Sequence, residues 1–179
     1  MSKKKAIIDA AAEIISRDGV RNLTMDAVAT LAGVSKGTIF YNFESKDGLI
    51  TAMVRELIDV TDSKISDSQV SDLEPGSWLR GFINTSLRDE TESAVLRNLS
   101  FAVIAAIGID TKLLKPMEEA QERWRSNINN DGISAPLGHL IRLAADGMWF
   151  SDIAGIPSVS EEERKAVIQL LIELTHQKP

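Results

Sequence analysis

The sequence predicts an all-α protein of two domains, a three-helix unit with a helix-turn-helix and a larger helical domain, with about nine helices in total. Three observations carry this. Apolar residues recur at spacings of three and four through most of the 179 residues. No segment alternates as a half-buried strand would, and no internal repeat is present. The stretch from Leu23 to Lys46, LTMDAVATLAGVSKGTIFYNFESK, reads as two short helices joined by a tight turn.

The N-terminal helix spans Lys5 to Arg17, with Ile7, Ala10, Ala11, Ile14 and Ile15 inward and Gly19 ending it. Lys3, Lys4 and Lys5 read as a frayed, solvated terminus; an arm reaching phosphate or the minor groove is the alternative. Thr24 supplies the hydroxyl that caps the next helix, and Asp26 suits its positive end. Ala27, Val28 and Leu31 form its inward stripe. Gly33 provides the left-handed residue that ends it, after which Val34 folds back onto the core. Ser35 caps the following helix, which turns Ile39 and Phe43 inward. Its outward residues Lys36, Thr38, Tyr41 and Asn42 offer a cation, a hydroxyl, a phenol and an amide, groups that contact phosphates and base edges. Gly37 leaves room for a partner's close approach. Ser45 caps a third helix whose first residue is Lys46, a cation that local stability disfavours there and a bound phosphate would favour.

Together these residues resemble the DNA-binding region of the TetR family of bacterial transcriptional repressors. Thr24, the AGVSKGT run from Ala32 to Thr38, the aromatic-rich Phe40 to Phe43 and Lys46 carry the resemblance, which covers roughly the first quarter of the chain. Phe40 stands where that family usually has Tyr, and Asn42 where His is common. The resemblance implies a DNA-binding domain at residues 1–47 and a helical effector-binding and dimerisation domain at 48–179. It implies a repressor released from a pseudo-palindromic operator by a small molecule. The DNA-contacting set expected is Thr24, Ser35, Lys36, Gly37, Thr38, Tyr41, Asn42 and Lys46.

Composition sets the bounds. Hydrophobic residues make up 44% and charged residues 26%, a globular balance, and the absence of Cys excludes disulfides and thiol chemistry. The start, MSKKKAIIDAAAEII, is interrupted by Asp9 and Glu13 and reads as a helix rather than a signal peptide. No apolar run suits a membrane span, so a cytoplasmic protein is expected. The net charge of −6 is unevenly spread. The first 55 residues hold eight Lys/Arg against six Asp/Glu, the remainder twelve against twenty. A basic end on an acidic body turns one face toward DNA.

Beyond Lys46 a long helix carries Leu49, Ile50, Met53, Val54, Leu57, Ile58 and Ile65, and a polar connection follows over Ser66 to Ser77. Further helices are expected from Trp78 to Leu87, from Ala94 to Ile107 (apolar on nearly every side and so buried all round), and from Leu113 to Ile128. Two more run from Pro136 to Ala154 and from Ser160 to His176, the last opened by a Ser160–Glu163 capping box. Ala144, Gly147, Ser151 and Ala154 form a small-residue stripe, and Ala166, Val167, Ile168, Leu170, Leu171, Ile172 and Leu174 exceed one apolar face, with Val167, Leu170, Leu171 and Leu174 expected at the interface. Both suggest a homodimer surface. Catalysis has no supporting set, since His139 and His176 fit no nucleophile–base or metal-ligand spacing, and no cofactor is expected. Arg142 and Asp146 read as a solvated or interface ion pair. Trp78, Phe82, Phe101, Met117, Trp124 and Trp149, with Arg97, Asn98 and Gln121 as polar anchors, read singly as core. The resemblance lifts them to an effector pocket, and the acidic body and aromatic content favour a neutral or cationic apolar compound. A DNA-binding structural, chromosome-associated factor of the same build without an effector is the second reading.

Overall fold

The computed structural model describes residues 2–88 and 93–177. Among these are nine α-helices and no strand: α1 (Lys3–Asp18), α2 (Met25–Ala32), α3 (Lys36–Asn42), α4 (Lys46–Gln69), α5 (Ser77–Ile83), α6 (Ser93–Ile109), α7 (Lys115–Asn129), α8 (Ala135–Ala154) and α9 (Glu161–Leu174). α5 continues into a π-helical turn, Asn84–Arg88, and short 3-10 turns follow α1 and precede α7. The chain forms two compact units, residues 1–59 with 91–119, and residues 60–90 with 120–179. Their division falls inside α4, so this helix carries residues of both.

In the first unit, α1 buries Ile7, Ile8, Ala11, Ile14 and Ile15 against α2 and α6. Leu23, Val28, Ile39, Leu49, Ile50 and Met53 complete the core, each no more than 2% exposed. Fully burying one such aliphatic side chain contributes about 1.5–3 kcal/mol. Three expectations are corrected here. Lys3, Lys4 and Lys5 are not frayed: Ser2 caps α1 by accepting the Lys5 N–H at 3.2 Å, and Lys5 Nζ reaches Asp9 at 2.9 Å and Glu56 at 3.2 Å. α6 is not buried all round, since Val95, Ile107 and Ile109 are exposed; it turns Leu99, Ala102, Ala105 and Ala106 inward. Leu31 is 41% exposed because the eight-residue α2 buries Val28 and Ala29 instead.

In the second unit, the polar segment after Ile65 is still helix. α4 extends to Gln69, with Ser68 Oγ donating back to the Ile65 carbonyl at 2.7 Å, so the connection shortens to residues 70–76. α5 has no cap of its own, because Gly76 lacks a side chain. Asp131 supplies one from the end of α7, accepting the Trp78 and Leu79 N–H groups at 2.9 and 3.0 Å. Burial raises the Asp131 carboxyl above the ordinary aspartate range, against the two N–H bonds that lower it. Gly76 is required on two counts, a φ of 84° and a Cβ that would collide with the Thr175 carbonyl.

Arg80 ties this corner together. Its guanidinium donates to both Asp72 oxygens at 2.6 and 2.7 Å, to the Glu74 and Pro75 carbonyls, and to Thr175 Oγ1 at 3.0 Å. The Arg80 hydrogen bonds hold the Asp72 carboxyl below its ordinary range. A carboxyl with a depressed folded pKa adds stability above its unfolded pKa, which is lost as pH falls through the folded value. Arg80→Met should destabilise the protein by about 3 kcal/mol, the lower end for a buried pair because Asp72 is partly wet. It should also lessen the loss of stability as pH is lowered below about 4. Denaturant melts of both proteins above and below that pH check both effects; equal acid sensitivity would remove Asp72 from the account.

Candidate nucleic-acid interface

The interface is built by three local signals that set α3 on the first unit. Thr24 Oγ1 accepts the Ala27 N–H at 3.1 Å and starts α2. At its end Gly33 adopts φ 65° and ψ 34°, and the Val34 N–H reaches the Ala29 carbonyl at 3.0 Å while the Gly33 N–H reaches Thr30 at 3.3 Å. This is the six-to-one, five-to-two pattern of a Schellman turn, which reverses the chain while satisfying the last carbonyls of α2. Ser35 Oγ then accepts the Thr38 N–H at 3.1 Å and starts α3.

Ile39 and Phe43 anchor α3 in the core, which leaves its other side open. Tyr41 is 90% exposed, and Phe40, in the position where a phenol is common, is 46% exposed. Gly37 has only Ser35 Oγ, at 3.8 Å, near the place a Cβ would take. Ser35, Gly37, Thr38, Tyr41 and Asn42 line one groove of about 530 Å³, and Ser2, Lys3 and Lys4 line it from α1.

The two expected cations are already engaged. Lys36 Nζ lies 2.7 Å from Asp26 Oδ1, joining α3 to the start of α2. Lys46 Nζ donates to the Val20 carbonyl at 2.9 Å, which holds the start of α4 to the turn after α1. Ser45 Oγ accepts the Gly48 N–H at 3.0 Å and caps α4. Asn42 Nδ2 donates to the Thr38 carbonyl at 2.8 Å, leaving its oxygen without a hydrogen bond among the described residues. Ser2 and the partners Asp26 and Val20 escaped sequence reading; for Asp26, its place one helix before Lys36 was the available signal.

The expected pocket residues are divided. Arg97, Asn98, Phe101 and Met117 belong to the first unit, and Trp78, Phe82, Gln121, Trp124 and Trp149 to the second. Within the second, Trp78 stacks on Phe82 with centroids 5.7 Å apart, and Phe82 meets Trp124 at 5.9 Å. Gln121 is exposed and Trp149 half-buried. Arg142 is paired with Asp146 as expected, but it is buried within its own chain rather than solvated or at an interface. Its guanidinium is buried 4.0 Å over the Phe82 ring and 4.9 Å from Trp124, with Asp146 against Nη1 but outside hydrogen-bond geometry. Desolvation pushes it down to about 10, so it stays a cation at neutral pH. A lone Arg inside the apolar run LIRLAA was the signal for this.

A separate groove of about 560 Å³ opens on the second unit between Asp62, Gln69, Trp78, Trp124, Asn127 and Asp131, among others. Asp62 accepts the Trp124 indole N–H at 2.6 Å and Arg123 at 3.0 Å. On α8, Leu140, Leu143 and Phe150 are 51–69% exposed beside the small-residue stripe, and an added Cβ at Gly147 would meet nothing within 4 Å. On α9, Leu170 is exposed, Val167 and Leu174 are half-buried, and Leu171 is buried in its own chain. Among the described residues no helix is long and apolar enough to cross a membrane, and no acidic, His or Cys cluster could hold a metal.

Residues 7–53 match the family model of bacterial regulatory proteins of the tetR family, and residues 76–176 match that of the tetracyclin repressor-like C-terminal domain. The HTH-type transcriptional regulator RutR of Escherichia coli (strain K12) is 41% identical over 59 residues, which is 33% of this chain and 28% of RutR. Among solved structures, a putative TetR-family transcriptional regulator from Rhodococcus sp. superimposes with a TM-score of 0.75 at 21% identity, over 98% of each chain. A putative transcriptional regulator from Saccharomonospora viridis in complex with choline does so with a TM-score of 0.75 at 18% identity, over 95% of each chain. The two family models meet both the capped helical pair and the helices that follow it, and the chain belongs to the TetR family, whose members are transcriptional regulators rather than enzymes.

Proposed function

We propose that this protein is a cytoplasmic transcriptional repressor that binds a pseudo-palindromic operator as a homodimer and leaves it on binding a small effector. The observation that carries this is the open side of α3, where Lys36 is exposed and Gly37, Thr38, Tyr41 and Asn42 line a groove while Ile39 and Phe43 anchor the helix. A helix held so, with its N-terminal residues outward, is the geometry that reads major-groove base edges. Thr24 and Ser35 join the contact set through their positions at helix starts, where backbone N–H groups meet phosphate. Residues 1–47 serve as the reader and 48–179 as the effector and dimerisation part. Lys36 is the base-reading cation, exchanging Asp26 for an acceptor on the DNA. Lys36→Ala should alter base preference at one operator position per half-site, with a cost of about 1–3 kcal/mol there. Selection from random duplexes with both proteins measures this, and identical preferences would assign Lys36 to the backbone.

The dimer forms through α8 and α9. Leu140, Leu143 and Phe150 flank Gly147 as an apolar strip that the single chain leaves open. Two readers set one helical turn apart, about 34–36 Å, multiply the few contacts one reader makes. Because a side chain at Gly147 meets nothing within its own chain, Gly147→Leu should leave the monomer folded and remove about 1 kcal/mol of helix penalty. It should sediment as a monomer and lose operator affinity. A dimer with normal DNA binding would place the interface elsewhere.

The effector is a neutral or cationic apolar compound. The groove beside Trp78 and Trp124 carries the carboxylates Asp62 and Asp131, and its size suits a small ligand. The choline bound by the Saccharomonospora viridis protein is in keeping with this chemistry. An effector acts only by binding two conformations unequally, and α4, which spans the reader and the second unit, is the element whose tilt would differ. A coupling of about 1–3 kcal/mol weakens operator binding roughly 5- to 150-fold, and operator weakens effector binding by the same factor. Titrating a compound that raises the melting temperature, with and without operator, tests this. Equal affinities would favour a DNA-binding structural factor.

A further inference from the structure

We propose that Lys3 and Lys4, in the first turn of α1, form a second contact with DNA, gripping the phosphate backbone of the strand that borders the groove read by α3. This rests on the DNA-binding reading and adds a surface outside the helix-turn-helix. Three observations carry it. First, the start of α1 lines the same open groove as α3, so Lys3 and Lys4 share one trough with Gly37, Thr38 and Tyr41. Second, the other lysines of the first 59 residues are committed: Lys5 to Asp9 and Glu56, Lys36 to Asp26, and Lys46 to the Val20 carbonyl. Lys3 and Lys4 have no such partner among the described residues, and both are exposed. Third, α1 is anchored by buried Ile7, Ile8 and Ala11, and Ser2 caps it, so the two ammonium groups stand on a fixed helix.

The chemistry of the trough selects phosphate over bases. Its walls bring hydroxyls (Ser2, Ser35, Thr38), a phenol and two cations, donors that suit phosphate oxygens. Lysine is a flexible point charge that neutralises phosphate without a fixed fork for reading bases. Unpaired cations also attract a polyanion without first giving up an internal partner, as Lys36 must. Continuity of this trough with the reading helix makes the occupant the same duplex.

Phosphate contacts are independent of sequence, so the test needs no operator. The full-length protein is titrated with a random-sequence 30-base-pair duplex across a range of KCl concentrations. Each phosphate contact adds about 0.9 to the slope of log affinity against log salt. Lys3→Ala/Lys4→Ala should lower that slope by about 1.8 per protomer engaged, with an unchanged thermal melt. Lys3→Arg/Lys4→Arg, which keeps both charges, should retain it. An unchanged slope in the alanine variant, with tight binding by the wild type, overturns this inference alone. An equal fall in the arginine variant overturns it too, because charge would then not be the cause. Failure of the wild type to bind duplex even at low salt overturns the DNA-binding reading along with it.

Discussion

The left-handed backbone at Gly33 is the constraint on which the reading surface depends. Its positive φ lets the chain leave α2 and re-enter a helix within three residues, with the last carbonyls of α2 satisfied by Gly33 and Val34. Thr24 and Ser35 fix where the two helices begin. A side chain at Gly33 would meet no neighbour, so its constraint is conformational rather than one of space. Given that turn, Ile39 and Phe43 fall inward and the remaining positions of the seven-residue α3 have no choice but to face out. A helix this short is not stable alone. Its order comes from two anchors and the caps, and so its direction is set by the core of the first unit.

Electrostatics then commit two cations beside this surface to partners within the chain. Lys36 is held by Asp26 and Lys46 by the Val20 carbonyl, bonds that orient both ammonium groups. The Lys36–Asp26 pair is exposed on both sides, where such pairs contribute about 0–1 kcal/mol, so Lys36 would lose little by leaving Asp26 for another acceptor. Lys46 keeps two further N–H donors beyond the one given to Val20. One ammonium can therefore brace the α1–α4 corner and still face a phosphate.

What was legible in the sequence was local. Thr24, Gly33, Ser35, Ser45 and the Ser160–Glu163 box each act within a few residues, so spacing alone identifies them. The resemblance to the TetR family rested on the same short stretch, and the family matches extend it to the helices that follow. What was illegible was paired across distance. Asp131 caps α5 from over fifty residues away, and Arg80 reaches Thr175 across ninety-five positions. Arg142 looked like one half of an i,i+4 surface pair because its neighbour Asp146 is visible in sequence, whereas Phe82 and Trp124 are not. The helix of Ala94 to Ile107 looked buried all round because composition does not say which sides meet a partner.

The central claim is that the outward side of α3 reads sequence in a two-fold arrangement. The direct measurement is repeated selection of random 40-base-pair duplexes by the purified protein at physiological salt, followed by sequencing. The account predicts enrichment of two inverted half-sites with centres one helical turn apart or a multiple of it, about 10–10.5 base pairs per turn. Sequences indistinguishable from the input pool, with binding that tracks salt alone, would contradict it.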